Sequence, residues 1–106
     1  MAVQYNKLVR DRIPEIIRNN GQICNTRILS DVEYISALDE KLQEEINEYQ
    51  ESRSIEELAD IFEVLCALAA YSGFSKEELI TAQEQKRADR GGFEDRVFLL
   101  DVVDSK

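Results

Sequence analysis

The chain has 106 residues, 43% of them hydrophobic, and a formal net charge of -9 at pH 7. That length suits one domain, residues 1–106, with a small core of the kind that oligomerisation commonly supports. The negative balance excludes general binding to a nucleic-acid polymer, whose phosphates it would repel, and the longest apolar run, VLCALAAY at 64–71, is far too short to span a bilayer.

Residues 1–20 are charged throughout and carry no signal-peptide pattern, so a soluble, cytoplasmic protein is expected. IPEIIRNNG at 13–21 reads as a short helix, with Pro14 suited to its first turn and Gly21 to its end. QICNTRIL at 22–29 alternates weakly, as a short strand does. DVEYISALDEKLQEEINEYQES at 31–52 is a long helix whose stripe is Ile35, Leu38, Leu42, Ile46 and Tyr49. A second long helix starts at Ser54, where Ser54 and Glu57 have capping-box spacing, and runs to about Gly73. A further helix starts at Ser75, with the same spacing to Glu78, and ends at Gly91-Gly92. RVFLLDVV at 96–103 has the β-branched and aromatic content of a strand. The expected class is mainly α, an antiparallel helix bundle, with a small β-ribbon from the 23–29 and 96–103 segments.

The charge excess is local. Residues 33–63 hold eleven acids and two bases, and the rest of the chain is balanced. Helical phasing at about 100° per residue sorts these acids. In the first long helix Glu45 borders the apolar stripe, with Glu48 beside it at i, i+3 and Glu44 further round. In the next, with Leu58 taken as the centre of the apolar arc and Ile55, Phe62, Leu65 and Ala69 close by, Glu57 falls between Leu68 and Val64. Asp60 lies just past the edge, and Glu56 and Glu63 point away. Acidic i, i+3 pairs are common on solvated faces, and Glu57 has a capping role to account for it. Two such pairs on consecutive helices, each against apolar residues and joined by a short connection, are a rarer conjunction. Antiparallel packing could bring the four carboxylates together; uncompensated, they would raise their pKa values or push the helices apart, and a divalent cation would resolve the repulsion.

All-oxygen ligation favours Mg2+, with Mn2+ an alternative. The chain has no histidine, which removes the Glu-x-x-His di-iron pattern. Cys24 and Cys66 follow no metal or redox spacing. Mg2+ held by a few carboxylates commonly binds substrate phosphates, and basic residues occur where phosphate ligands are wanted. Lys86 and Arg90 continue a face begun by Leu79 and Gln83, although a helix dipole also favours cations there. Lys7, Arg10 and Arg12 crowd the N-terminal segment.

The motif Glu44-Glu45-Ile46-Asn47-Glu48 followed by Glu57-Leu58-Ala59-Asp60 resembles that of the MazG-like all-α nucleoside triphosphate pyrophosphohydrolases. YNKLVRDRIPEII at 5–17 and KRADRGGFEDRVFL at 86–99 extend the likeness over nearly the whole chain, towards a short subgroup related to phosphoribosyl-ATP pyrophosphohydrolases. The resemblance implies Mg2+ held by Glu45, Glu48, Glu57 and Asp60, with Glu44 and Glu45 as catalytic acids that position or activate water. It implies hydrolysis of a nucleotide substrate between the α and β phosphates, giving NMP and pyrophosphate, as in the house-cleaning of unwanted nucleotides. Lys7, Arg10, Lys86 and Arg90 would bind phosphate, and a homodimer or dimer-based tetramer is implied. The interval 49–56 between the motifs is shorter than in many members, which leaves the preferred base unspecified. Phosphoribosyl-ATP hydrolysis is the neighbouring reading, and a non-catalytic acidic helical interaction module is the reading of another class.

Overall fold

A computed structural model describes residues 2–104. Four helices follow in order: α1 Ile13–Asn19, α2 Asp31–Ser52, α3 Ile55–Tyr71 and α4 Lys76–Arg90. The class is mainly α, and no strand occurs among the described residues.

Each long helix starts where a serine supplies the missing acceptor. Ser30 and Ser75 form complete capping boxes with Glu33 and Glu78. At α2 the cap is reinforced by Arg27, whose guanidinium donates to both carboxylate oxygens of Glu33 at 3.1 and 2.9 Å. That pairing, with the Ser30 hydrogen bonds, lowers the Glu33 pKa to about 2. A carboxyl depressed in the folded state stabilises the fold above its ordinary pKa, and the effect fades as pH falls towards the folded value. Arg27→Ala is therefore expected to lower the melting temperature slightly at pH 7. Melting curves taken across the acid range should converge with those of the parent chain as pH falls from the ordinary carboxylate range towards 2.

The packed unit is the α2–α3 hairpin. Its two-residue connection turns at Arg53, which takes the left-handed conformation (φ 56) that glycine usually supplies at a helix end, and stacks its guanidinium 5.1 Å from the Tyr49 ring. The antiparallel sense is fixed by Tyr34 near the start of α2 meeting Tyr71 at the end of α3, ring centroids 6.1 Å apart. The α2 stripe faces α3 as its spacing predicts, with Leu38 buried and Ile35, Leu42, Ile46 and Tyr49 half-buried.

On α3 the predicted centre is displaced. Val64 is buried and Ile61 and Leu68 are half-buried, whereas Ile55, Leu58, Phe62 and Leu65 stand exposed, Ile55 at 73% and Phe62 at 38%. The apolar arc of α3 is wider than one partner helix can cover, and α2 takes the side that carries Glu57. The sequence gives the width of that arc but not the part α2 would occupy.

The expected ribbon of 23–29 and 96–103 does not form. No backbone hydrogen bond joins the two segments, and Ile23, Ile28, Val97 and Phe98 are all exposed. A lone pair of strands is marginal in water without an apolar surface beneath it. Here α4 breaks from α3 at 108° and carries the C-terminal segment outward. The outline is long as a result, 69 × 32 × 21 Å. Its radius of gyration is 19.0 Å, against roughly 13 Å for a compact chain of this length. Among the described residues no single helix is long and apolar enough to cross a membrane.

Candidate metal centre

Glu45 lies two turns beyond Leu38 on the face of α2 turned towards α3. It is 5% exposed, the one buried charged residue among those described. Across the hairpin, Glu57 and Asp60 are neighbours at i, i+3 on α3. One carboxylate oxygen from each of the three lies within 4.8 Å of the others. The helical phasing anticipated this meeting. It also placed Glu56 and Glu63 outward, and both are exposed.

Glu57 escapes the role that spacing gave it. Ser54 accepts a hydrogen bond from the Glu57 backbone, but the Glu57 side chain does not return one to the Ser54 backbone. Its carboxylate faces the cluster instead, where Oε2 of Glu57 and Oε2 of Glu45 are both buried with no hydrogen-bond partner. Buried polar atoms are nearly always paired, and an ionised oxygen is the costliest to leave bare. Bare oxygens on two residues whose carboxylates meet across the hairpin fit a divalent cation. The donor set, oxygen only, fits Mg2+ or Mn2+.

Burial raises the Glu45 pKa; the Lys41 ammonium pulls it the other way, and the charges of Glu48 and Asp60 add to the rise. Lys41 lies 3.2 Å from Glu45 Oε1 and 3.5 Å from Glu44 Oε1. Burial disfavours the Lys41 charge, yet its bonds and charge pairing with Glu45 and Glu44 outweigh that and raise its pKa. Lys41 is the participant that sequence reasoning missed. Its signal was present in the Lys41-x-x-Glu44-Glu45 spacing, since i, i+3 and i, i+4 partners share a helix face.

The remaining residues singled out by sequence divide into two groups. Glu44 is half-buried and accepts from Lys7 at 3.3 Å, while Arg10 donates to Asp60 Oδ1 at 2.6 Å. Both N-terminal cations thus sit on the acids themselves. Glu48 is exposed, outside the three-carboxylate group, and reaches Glu45 through its charge. Lys86 and Arg90 are exposed on α4 and make no ion pair among the described residues; the cation that pairs there is Arg87, with Glu94 at 2.9 Å. A single chain therefore gathers Glu45, Glu57 and Asp60, with Glu44, Lys41, Lys7 and Arg10 around them, and leaves α4 apart.

Comparison with known proteins gives one partial likeness. A stretch of 42 residues is 60% identical to an uncharacterized protein of Mycolicibacterium smegmatis, covering 40% of this chain and 43% of that one. No family model matches the chain. No solved structure matches it.

Proposed function

We propose that the chain is a Mg2+-dependent nucleotide pyrophosphohydrolase of the MazG-like all-α type, cleaving a nucleoside triphosphate between its α and β phosphates. The observation that carries this reading is the pair of unpartnered, buried carboxylate oxygens of Glu45 and Glu57, beside Asp60. The acidic motifs and the basic segments around them supply the substrate class.

In this reading Glu45, Glu57 and Asp60 would hold the cation, with Glu48 as the fourth acid of the motif. A divalent cation bound there would neutralise phosphate charge and lower the pKa of a water molecule. Glu44, which pairs with Lys7 and Lys41, would orient the attacking water or accept its proton. Lys7 and Arg10, at the rim, supply positive charge for the phosphates. Incubation with a panel of ribo- and deoxyribonucleoside triphosphates, with Mg2+ or with EDTA, tests the reading. Mg2+-dependent release of pyrophosphate is expected, and no release from any triphosphate would leave the acidic interaction module standing.

The same reading includes a second copy of the chain. The exposed α3 face of Ile55, Leu58, Phe62 and Leu65, and the exposed apolar C-terminal segment from Phe93 to Val103, support it. Lys86 and Arg90, remote from the acids within one chain, would reach substrate from the partner. Phe62→Glu puts a charge in the middle of that face and is expected to yield monomers. Sedimentation of the parent chain as a dimer or tetramer, and of the variant at half that mass or less, is the expected result. A parent chain that sediments as a monomer contradicts the assembly.

A further inference from the structure

The segment before α1, residues 2–12, forms no helix or strand, yet two of its side chains cross to the acidic cluster. Arg10 closes on Asp60 from fifty positions away, and Lys7 closes on Glu44. Asp60 Oδ1 is one of the atoms that Asp60 has to offer a metal, and the guanidinium holds it at 2.6 Å. On the other side of the cluster, Lys41 holds Glu45 Oε1 at 3.2 Å, while Glu45 Oε2, on a side chain 7% exposed, has no partner.

We propose that the N-terminal arm is a resident counter-ion that a divalent cation displaces. Arg10 and the cation compete for Asp60, so metal entry frees Arg10, and Lys7 beside it, for the phosphates. This rests on the metal centre described above. The two cations of the cluster differ in how firmly they are held. Lys41 is largely buried and fixed on α2 one turn from its partners. Arg10 is 52% exposed, Asp60 37%, and the pair hangs from an irregular segment. Half-exposed ion pairs are weak. A doubly charged ion facing three carboxylates has the stronger attraction, and it meets least resistance at Arg10. The arm would keep the acids neutralised in the absence of metal and couple metal entry to anion capture.

The test is Mn2+ binding, followed by electron paramagnetic resonance without nucleotide, in the parent chain, Arg10→Gln and Arg12→Gln. Arg12 carries the same charge two residues away but pairs with Glu15, outside the cluster. Arg10→Gln is expected to tighten Mn2+ binding roughly 1.5-fold to fivefold, the range that loss of one weak competing ion pair gives, with Arg12→Gln unchanged. Amide resonances of residues 7–11 in 15N-labelled protein are expected to sharpen on adding Mg2+. Equal affinity in all three chains overturns the displacement, as does equal tightening by both variants, which would mean a general charge effect. Absence of Mn2+ binding from every chain overturns the metal centre itself and the displacement with it.

Discussion

Glu45→Gln and Asp60→Asn are expected to lower the rate of pyrophosphate release by roughly a hundredfold to a thousandfold, the scale on which loss of one preorganised electrostatic group acts. Each substitution removes an anionic oxygen from the three-carboxylate group and leaves the side-chain volume nearly unchanged. Glu48→Gln belongs with them, because Glu48 is the remaining acid of the motif and its charge already reaches Glu45. Glu56→Gln and Glu63→Gln are the matched controls. They remove the same charge from the exposed side of α3, the helix that carries Asp60. Their rates should stay within about twofold of the parent, since an exposed charge at that remove is screened. Steady-state kinetics with circular dichroism on each variant separates lost chemistry from lost fold. Equal losses in both sets would mean that charge in general, and not this cluster, supports turnover.

The second large effect concerns stability. At about a hundredfold excess over Kd, Mg2+ should stabilise the native chain by about 2.7 kcal/mol, or roughly 10–20 °C in Tm for a domain of this size. Glu45→Gln should abolish that shift. In EDTA the same variant should melt higher than the parent at neutral pH. The sign follows from burial, which raises the Glu45 pKa. A carboxyl with a raised folded-state pKa favours the fold in its protonated form. That contribution is complete below its ordinary pKa and is lost as pH rises through the folded value. Burial thus works against the charged form of Glu45, a cost that the neutral amide does not carry, and Lys41 keeps Glu44 as its partner. Thermal melts of the two chains, with Mg2+ and with EDTA, read both effects. A Glu45→Gln chain that still gains Tm from Mg2+ would remove Glu45 from the centre.

The parts of the fold that were legible in the sequence are those fixed locally. The limits of α2 follow from its apolar stripe, and the starts of α3 and α4 from serine caps. The short connection after Ser52 fixes the hairpin and hence the meeting of Glu45 with Glu57 and Asp60. What was illegible depended on choices among partners. The arc of α3 offers two faces, and nothing local says that α2 covers the Val64 side and leaves Leu58 and Phe62 outside. Ser54 and Glu57 have capping-box spacing, but the cluster competes for the Glu57 carboxylate and takes it. The strand-like residues of 23–29 and 96–103 need an apolar surface and each other, and the divergence of α4 denies them both. Lys7 and Arg10 stood out in the sequence as candidate phosphate-binding cations. Their pairing with Glu44 and Asp60 did not, because contacts across dozens of residues leave no periodic mark.

Whether Glu45, Glu57 and Asp60 together hold a divalent cation is decided by diffraction from crystals grown with Mn2+, recorded to reveal its anomalous scattering. An anomalous peak within bonding distance of all three carboxylates, with Arg10 withdrawn from Asp60, is the predicted result. A peak elsewhere, or none at saturating Mn2+ with Arg10 still on Asp60, would contradict such a centre.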